Sequence, residues 1–523
     1  MAVMTFRRIF IALLVVILVS LAALWCWGRF ARSARGPDSQ ALPVAGADTE
    51  LDRLVQPLLD ARPAGASAAA LVAEQLDAFL ARALSARAAG RSLDIQYYIW
   101  NQDLTGHLLE RELLLAAERG VRVRLLLDDM NAAGKDPALL ALSTHPHIAV
   151  RLFNPARNRR TGIHRALEMA LRFVGFNRRM HNKAWIADNR VAVVGGRNVG
   201  DEYFGAAETN FRDTDLLLLG PAVQQTSVIF DRFWNSSEVI PLHALHPRRS
   251  RRAAQDLAAQ EQQWLADAAS TPWLEALQTR GQWLQQQLTD TAPGLHWSLS
   301  YRVLSDPPEK ASALASRRDR AGWLLYDVMA LLFSAQRNNW IMSPYFVPGE
   351  PGSLLLSGQA QRGTDVRVLT NSLAANDVPL VHAGYRKYRK KLLRQGVQLY
   401  ELKPGLRSTD RSLVGSSGAS LHSKLIVVDG QRGFVGSFNF DPRSAQLNTE
   451  MGVMFDQPEL ARQLQDFFSQ STAPELAWRV DLGSNDRLNW HGADGPREQE
   501  PQTSWPLRLL VRLLGLLPLE SQL

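Results

Sequence analysis

His181-Asn-Lys-Ala-Trp-Ile-Ala-Asp188 and His422-Ser-Lys-Leu-Ile-Val-Val-Asp429 are one phrase written twice in a chain of 523 residues. In both, Lys stands two residues after the His and Asp seven after it. Gly195 and Gly436 then follow at fourteen, and Asn198 and Asn439 at seventeen. The residues between Lys and Asp are mostly apolar, so each stretch predicts a short strand with His and Lys near its start. Residues two apart on a strand face one side. His181 and Lys183 therefore project together, as do His422 and Lys424.

The surroundings of the two phrases also match. Ile95–Trp100 reads as a strand, His107–Arg119 as an amphipathic helix closed by Gly120, and Val121–Leu127 as a second strand ending in Asp128 and Asp129. Strand, helix and strand at this spacing form a βαβ unit and imply a parallel sheet with helices on its faces. Trp340–Val347, Leu354–Gln361, Arg362-Gly363 and Val366–Thr370 repeat that order. Ahead of the first unit, Ser67–Ala88 is Ala/Leu-rich and predicts a helix with Ser67 as its N-cap. The chain thus divides into a membrane anchor or signal sequence over 1–35, a Gly/Pro/Ala-rich tether over 36–50 and a first half over 51–245. A Gln-, Ala- and Arg-rich helical linker over 246–294, a second half over 295–480 and an extension over 481–523 complete it.

Composition narrows the function. A formal charge of +8 favours anionic partners: nucleic acid, acidic lipid or phosphorylated substrates. Only eight of the 59 basic residues are Lys, and two of those eight lie in the repeated phrase. Retaining Lys there in an Arg-rich chain points to a need for a compact point charge. The single cysteine, Cys26, excludes an intrachain disulfide framework and a thiolate zinc site. Ile9–Trp27 is an uncharged, mostly apolar run of membrane-spanning length between Arg7-Arg8 and Arg29. A cleaved signal peptide is the competing reading, and the side of the membrane is left open. Trp505–Leu519 sets Arg508 and Arg512 among leucines and reads either as a helix in the headgroup region or as one docked on the protein.

The residue types select the chemistry. Lys is not a ligand for common metals, and no carboxylate or histidine cluster accompanies either phrase, so neither metal nor cofactor is expected. There is no Gly-rich P-loop. Two His and two Lys in one pocket suit a phosphodiester. The lysines, Asn198 and Asn439 hold its oxygens, one imidazole attacks phosphorus and the other protonates the leaving alcohol.

HxKxxxxD twice in one chain, each followed by Gly-Gly/Ser-x-Asn, resembles the phospholipase D superfamily. Asp94-Ile-Gln-Tyr-Tyr-Ile-Trp100, Asn371–Asn376, Val381-His-Ala-Gly-Tyr385 and Gly436-Ser-Phe-Asn-Phe-Asp-Pro-Arg-Ser444 are similar to the bacterial cardiolipin synthases, and among them to the C type. The resemblance implies an α/β fold of two pseudo-twofold α/β/α sandwich halves with mixed sheets, sharing one active site. It also implies ping-pong chemistry through a phosphohistidine. His181 would attack a phosphatidyl donor and His422 would protonate the departing alcohol, then deprotonate phosphatidylglycerol to give cardiolipin. The catalytic set is then His181, Lys183, Asp188, His422, Lys424 and Asp429, with Asp188 and Asp429 expected to hold loop geometry rather than move protons. Asp215 and Glu450, about thirty residues past each His, are candidates to orient the imidazoles. Asn198, Asn439 and Ser437 are candidates for phosphate binding. Gly196 stands where the second half has Ser437, so the halves need not be equivalent. The implied substrates are phosphatidylglycerol with phosphatidylglycerol or phosphatidylethanolamine as donor, at the bacterial inner membrane. No nucleic acid is expected, and an accessory protein is unreadable from one chain. The rivals are a hydrolase of the same type, acting on phospholipids or on nucleic acid, and an inactive lipid-binding scaffold.

Overall fold

The computed structural model describes the chain except positions 1, 45, 47, 133, 160–162, 247–261, 263–265, 267–269, 290, 291, 293, 313–319, 321 and 406–418. Two mixed sheets carry it. The first runs, in spatial order, Ser67–Val72, Asp215–Leu219, Val191–Gly195, Ala184–Ala187, Ser92–Tyr97, Arg122–Asp128 and Ile148–Phe153. The second runs Arg302–Ser305, Met451–Asp456, Arg432–Gly436, Leu425–Val428, Asn338–Met342, Asp365–Asn371 and Gln398–Leu402. In both, the first five strands pair antiparallel and the last three parallel. The strands that follow His181 and His422 hold the same place in each order.

These central strands are apolar on both faces because both faces are covered. One face of the first sheet packs on helices Gln75–Ala88 and Leu104–Glu118, burying Phe79, Leu109, Leu113 and Leu125. Its other face meets the second sheet in a single shared core that joins Leu216, Leu218 and Val194 to Met342, Leu425 and Val427. The sequence halves cross over at their edges. His296–Ser298 pairs with Ser67–Ala69 of the first sheet, and Ala419–Leu421 pairs with Asn210–Arg212.

One element differs from the sequence reading. Ser67–Ala88 is not a single helix: Ser67–Val72 is a strand and the helix begins at Gln75. The run Ser-Ala-Ala-Ala-Leu-Val has helical propensity, but its small side chains fill the slot between Asp215–Leu219 and His296–Ser298, where ladder bonds and burial outweigh that propensity. Ser67 Oγ accepts from Ala222 N instead of capping a helix. The predicted helical linker over 246–294 lies partly outside the described residues; its described part holds Thr271–Thr279 and Trp283–Gln287.

Ahead of the body stands a helix over Ala2–Ala34. Its segment Ile11–Ala31 is long and apolar enough to cross a membrane, and its side chains are largely exposed. Its last turns touch the body, through Trp27, Phe30, Ala31 and Ala34.

Candidate active site

Each histidine enters the site on a segment tied to the other half. Met180 bridges Thr449, so His181 N donates to Thr449 O at 2.9 Å. Leu421 pairs with Arg212, so His422 N donates to Arg212 O at 2.8 Å. Clamps from the same half hold these lead-ins: Asp128 accepts from Met180 N at 2.9 Å, and Asn371 accepts from Leu421 N at 2.9 Å. Asp128 and Asn371 end equivalent strands, a role the sequence reading did not assign them.

The exchange brings each imidazole a carboxylate from across the interface. His181 Nδ1 lies 2.8 Å from Glu450 Oε2, and His422 Nδ1 lies 2.6 Å from Asp213 Oδ2. Glu450 was expected beside a histidine; Asp215 was not found there. Asp215 accepts from buried Arg82 at 2.9 Å and from buried Arg197 at 3.4 Å, and Arg82 Nε donates to Tyr97 Oη. Sheet register explains the correction. Gly195 pairs with Asp215 and Gly436 with Gly452, so the residues two before each, Asp213 and Glu450, correspond. Counting from each His cannot see this, because the intervening loops differ in length.

Ring contacts complete the walls. Tyr98 meets His181 edge-on at 5.0 Å between centroids, while Tyr203 and Phe211 flank His422 at 5.2 and 5.0 Å. Lys183 Nζ donates to His181 O at 2.7 Å and faces Tyr98; Lys424 Nζ donates to His422 O and lies 3.0 Å from His422 Nδ1.

The remaining expected residues fall into two groups. Asp188 accepts from the backbone N–H groups of Gly90, Arg91 and Ser92, and Asp429 from those of Gln336, Arg337 and Asn338. Both sit at positive φ, 52° and 58°. They fasten the turn before the strand next to each His-Lys strand, and their carboxylates are used up there. Ser437 Oγ donates to Glu450 Oε2 at 2.5 Å and accepts from Met451 N at 3.0 Å, so it steadies the carboxylate behind His181. Asn198 accepts from Ile99 N and donates to Tyr203 Oη, committing its amide to the wall. Asn439 is different: its side-chain oxygen is buried and has no hydrogen-bond partner among the described residues.

Burial governs the charges. It lowers His181 to about 4, against the pull of Glu450, and it drives His422 well below the usual range with help from Lys424 and Lys183. Burial also brings Lys424 down to about 8 and holds Lys183 well below the usual lysine range. Glu450 is held below the carboxylate range: burial opposes this, but His181 and Lys183 outweigh it. Neutral imidazoles whose Nδ1 is engaged by a carboxylate keep Nε2 free as an electron-pair donor. Among the described residues no group of three His, Cys, Asp or Glu side chains is placed to hold a metal ion.

Two stretches rich in basic residues, Arg157–Arg179 and Arg386–Arg394, are largely neutralised within the fold among the described residues. Arg159 pairs with Asp136 and Asp129, Arg172 with Glu168 and Arg179 with Asp128. On the helix Pro379–Arg394, Lys390 and Arg394 pair with Asp486, and buried Arg389 with Glu401 and Glu500. His382 is fully buried, 3.5 Å from Glu500 and edge-on to Tyr385.

Comparison with known proteins gives the family and the fold. The family model described as "Cardiolipin synthase, PLD-like domain" matches residues 84–234 and 328–472. Cardiolipin synthase C of Escherichia coli (strain K12) is 43% identical over 456 residues, covering 86% of this chain and 94% of its own. A cardiolipin synthase of Geobacillus kaustophilus is 28% identical over 369 residues, covering 70% of this chain and 58% of its own. The crystal structure of phosphatidylserine synthase from Haemophilus influenzae shares the fold, with a TM-score of 0.58 at 14% identity, over 90% of this chain and all of its own.

Proposed function

This chain belongs to the cardiolipin synthase family of phospholipase D-like proteins, and from that premise we propose that it joins two phospholipids into cardiolipin at its crossed His-Lys site. It is a membrane-associated phosphatidyltransferase of the phospholipase D superfamily. The acceptor is phosphatidylglycerol, the donor is phosphatidylethanolamine or a second phosphatidylglycerol, and the membrane is the bacterial inner membrane.

The observation that carries this reading is the exchange of acids: Glu450 on His181 and Asp213 on His422, each across the interface. Neither half alone holds a complete His-carboxylate pair, so both histidines serve one reaction. His181 Nε2 attacks the donor's phosphorus as the bond to the headgroup alcohol breaks, and His422 delivers the proton to the departing oxygen. His422 then takes the proton of the phosphatidylglycerol hydroxyl, whose oxygen attacks phosphorus and releases His181. Lys183, Lys424 and Asn439 meet the phosphoryl oxygens. A phosphodiester anion among these groups raises both imidazole pKa values from their depressed level, so binding itself favours the proton His422 must carry.

The test is lipid analysis of vesicles holding labelled phosphatidylglycerol, with and without phosphatidylethanolamine, incubated with the protein and a chelator. Cardiolipin is the expected product, and the released alcohol names the donor; phosphatidic acid alone would replace the transferase with a hydrolase. His181→Ala and His422→Ala should each lower turnover by ~10³-fold or more, with the double variant no worse than either. A phosphohistidine trapped at 422 rather than 181 would exchange their roles.

A further inference from the structure

The C-terminal helix Trp505–Leu514 is apolar on two sides. Val511, with Leu507 and Leu514, docks it onto Leu373 and Ala383. The opposite side leaves Trp505, Leu509, Leu510 and Leu513 exposed, and the turn beyond adds Leu516, 80% exposed, and Leu517. A helix that meets only water on its outer side carries polar residues there. This one carries leucines edged by Arg508 and Arg512, with no acidic residue along its length. A contiguous apolar patch of this kind marks a surface that something covers.

The other end of the chain says what covers it. The apolar helix Ala2–Ala34 meets the body at its last turns, where cations line the contact. The Arg172 guanidinium lies 3.8 Å from the Trp27 ring centroid and that of Arg157 4.5 Å from Phe30. A cavity of about 580 Å³ opens there between Ala23, Trp27, Arg157, Arg172 and Leu245. Aromatic rings and arginines at the end of an apolar span belong at the polar boundary of a bilayer. Helix Ile163–Leu171 packs against the same N-terminal helix, and it leaves Ile163 79% and Leu167 57% exposed.

That helix leads through Phe173–Phe176 to Asn177, where the C-terminal residues dock. Asn177 Nδ2 donates to Gln522 Oε1 at 2.8 Å, Arg443 donates to Asn177 O at 2.7 Å, and Arg443 N donates to Leu523 O. Asn177 lies four residues before His181, and Arg443 four after Asn439. The N-terminal span, through Ile163–Leu171, and the C-terminal residues, through Asn177 and Arg443, thus both join segments that run directly into His181 and Asn439.

We propose that the C-terminal helix lies in the headgroup region of the same anionic bilayer that the N-terminal helix spans, so that the active site opens onto that surface. This deepens the phosphatidyltransferase reading and rests on it for the meaning of the site. The arginines match anionic headgroups, whereas a second copy on a twofold would bring Arg508 and Arg512 against their own counterparts.

The single cysteine makes a direct test practical. In the full chain carrying Cys26→Ser, Leu513→Cys is labelled with an environment-sensitive fluorophore and reconstituted into phosphatidylcholine/phosphatidylglycerol vesicles containing lipid with a nitroxide high on its acyl chain. The expected result is a blue-shifted emission quenched several-fold by the nitroxide lipid and shielded from aqueous iodide, with quenching reduced by Arg508→Gln plus Arg512→Gln. Label at Trp505→Cys repeats the measurement at an independent exposed position. A blue shift without lipid quenching would assign the surface to another protein copy, and free access of iodide would leave it in water. Either outcome overturns the proposal while leaving the vesicle assay of cardiolipin formation standing.

Discussion

The two halves have the same strand order and the same His-Lys pair, yet they hold their histidines with different parts. Behind His181 stands Glu450, steadied at 2.5 Å by Ser437 Oγ. Behind His422 stands the shorter Asp213, and where a serine would be there is Gly196. A β-carbon built there would lie 2.2 Å from Asp213 Oδ1. Glu with Ser and Asp with Gly are two ways to fill one space: the longer acid reaches its imidazole with a hydroxyl beside it, and the shorter acid occupies the hydroxyl's place. The departure from symmetry at position 196 is therefore a coupled pair of differences.

Exchanging one member of each pair breaks this relation unequally, and here the largest effect is expected. Gly196→Ser drives a side chain into Asp213 and frees His422, so turnover should fall by ~10³-fold or more. Ser437→Gly removes the hydrogen bond to Glu450, worth about 1–1.5 kcal/mol, together with the one from Met451 N, but leaves Glu450 on His181, so about tenfold is expected. Paired kcat measurements on the two variants check this. Equal losses would mean the two positions do the same work.

The next effect separates neighbours within the first half. Asp213→Asn keeps the shape but cannot accept from His422 Nδ1 as a charge, so kcat should fall by ~10²-fold or more and the pH profile should move. Asp215→Asn leaves Arg82 and Arg197 buried without their counter-charge, a loss of about 3–5 kcal/mol that thermal unfolding reads directly. The correction of Asp215 to Asp213 fails if the first variant is unstable and active and the second stable and inactive.

What the sequence revealed, and what it hid, follows from the same geometry. A strand repeats every two residues, so His181 with Lys183 and His422 with Lys424 were legible along the chain, as was the duplication. Which acid reaches which histidine depends on sheet register and on a crossing between halves, and no count along the chain contains either. The basic segment at 386–394 reads as a positive patch because its partners, Asp486, Glu500 and Glu520, lie some hundred residues away. Ser67–Val72 looked helical because alanine's preference is local, whereas the strand slot that overrides it is made by residues 215–219 and 296–298.

Acid should act on the histidines of both halves. His181 is held at about 4 against 6.5 when unfolded, so the folded chain binds fewer protons over that window and stability falls as pH drops from 6.5 towards 4. This amounts to about 3 kcal/mol for His181 alone. His422 is likewise driven well below its usual range by burial, so it too loses stability as pH falls below 6.5. Asp306, raised by burial to about 6, works the other way, losing stability as pH rises from 3.8. Denaturant midpoints measured across pH 4–6.5 should therefore flatten in both His181→Phe and His422→Phe. An unchanged slope in either variant would remove that histidine from the acid response.

The finest contrast lies in Asp188 and Asp429, which occupy the same motif position, accept the same three backbone N–H groups and share a positive φ. Only their surroundings differ: Asp188 is fully buried, whereas Asp429 lies partly exposed with Arg432 beside it. Asn tolerates the left-handed backbone as Asp does and keeps one oxygen acceptor, so the substitution isolates the charge. Hydrogen bonds to a charged group weaken when water competes for it. Asp188→Asn should then cost about 2 kcal/mol in chemical denaturation, and Asp429→Asn less than about 1 kcal/mol. Equal costs would show that the backbone bonds, and not the exclusion of water, set the strength of these two fastenings.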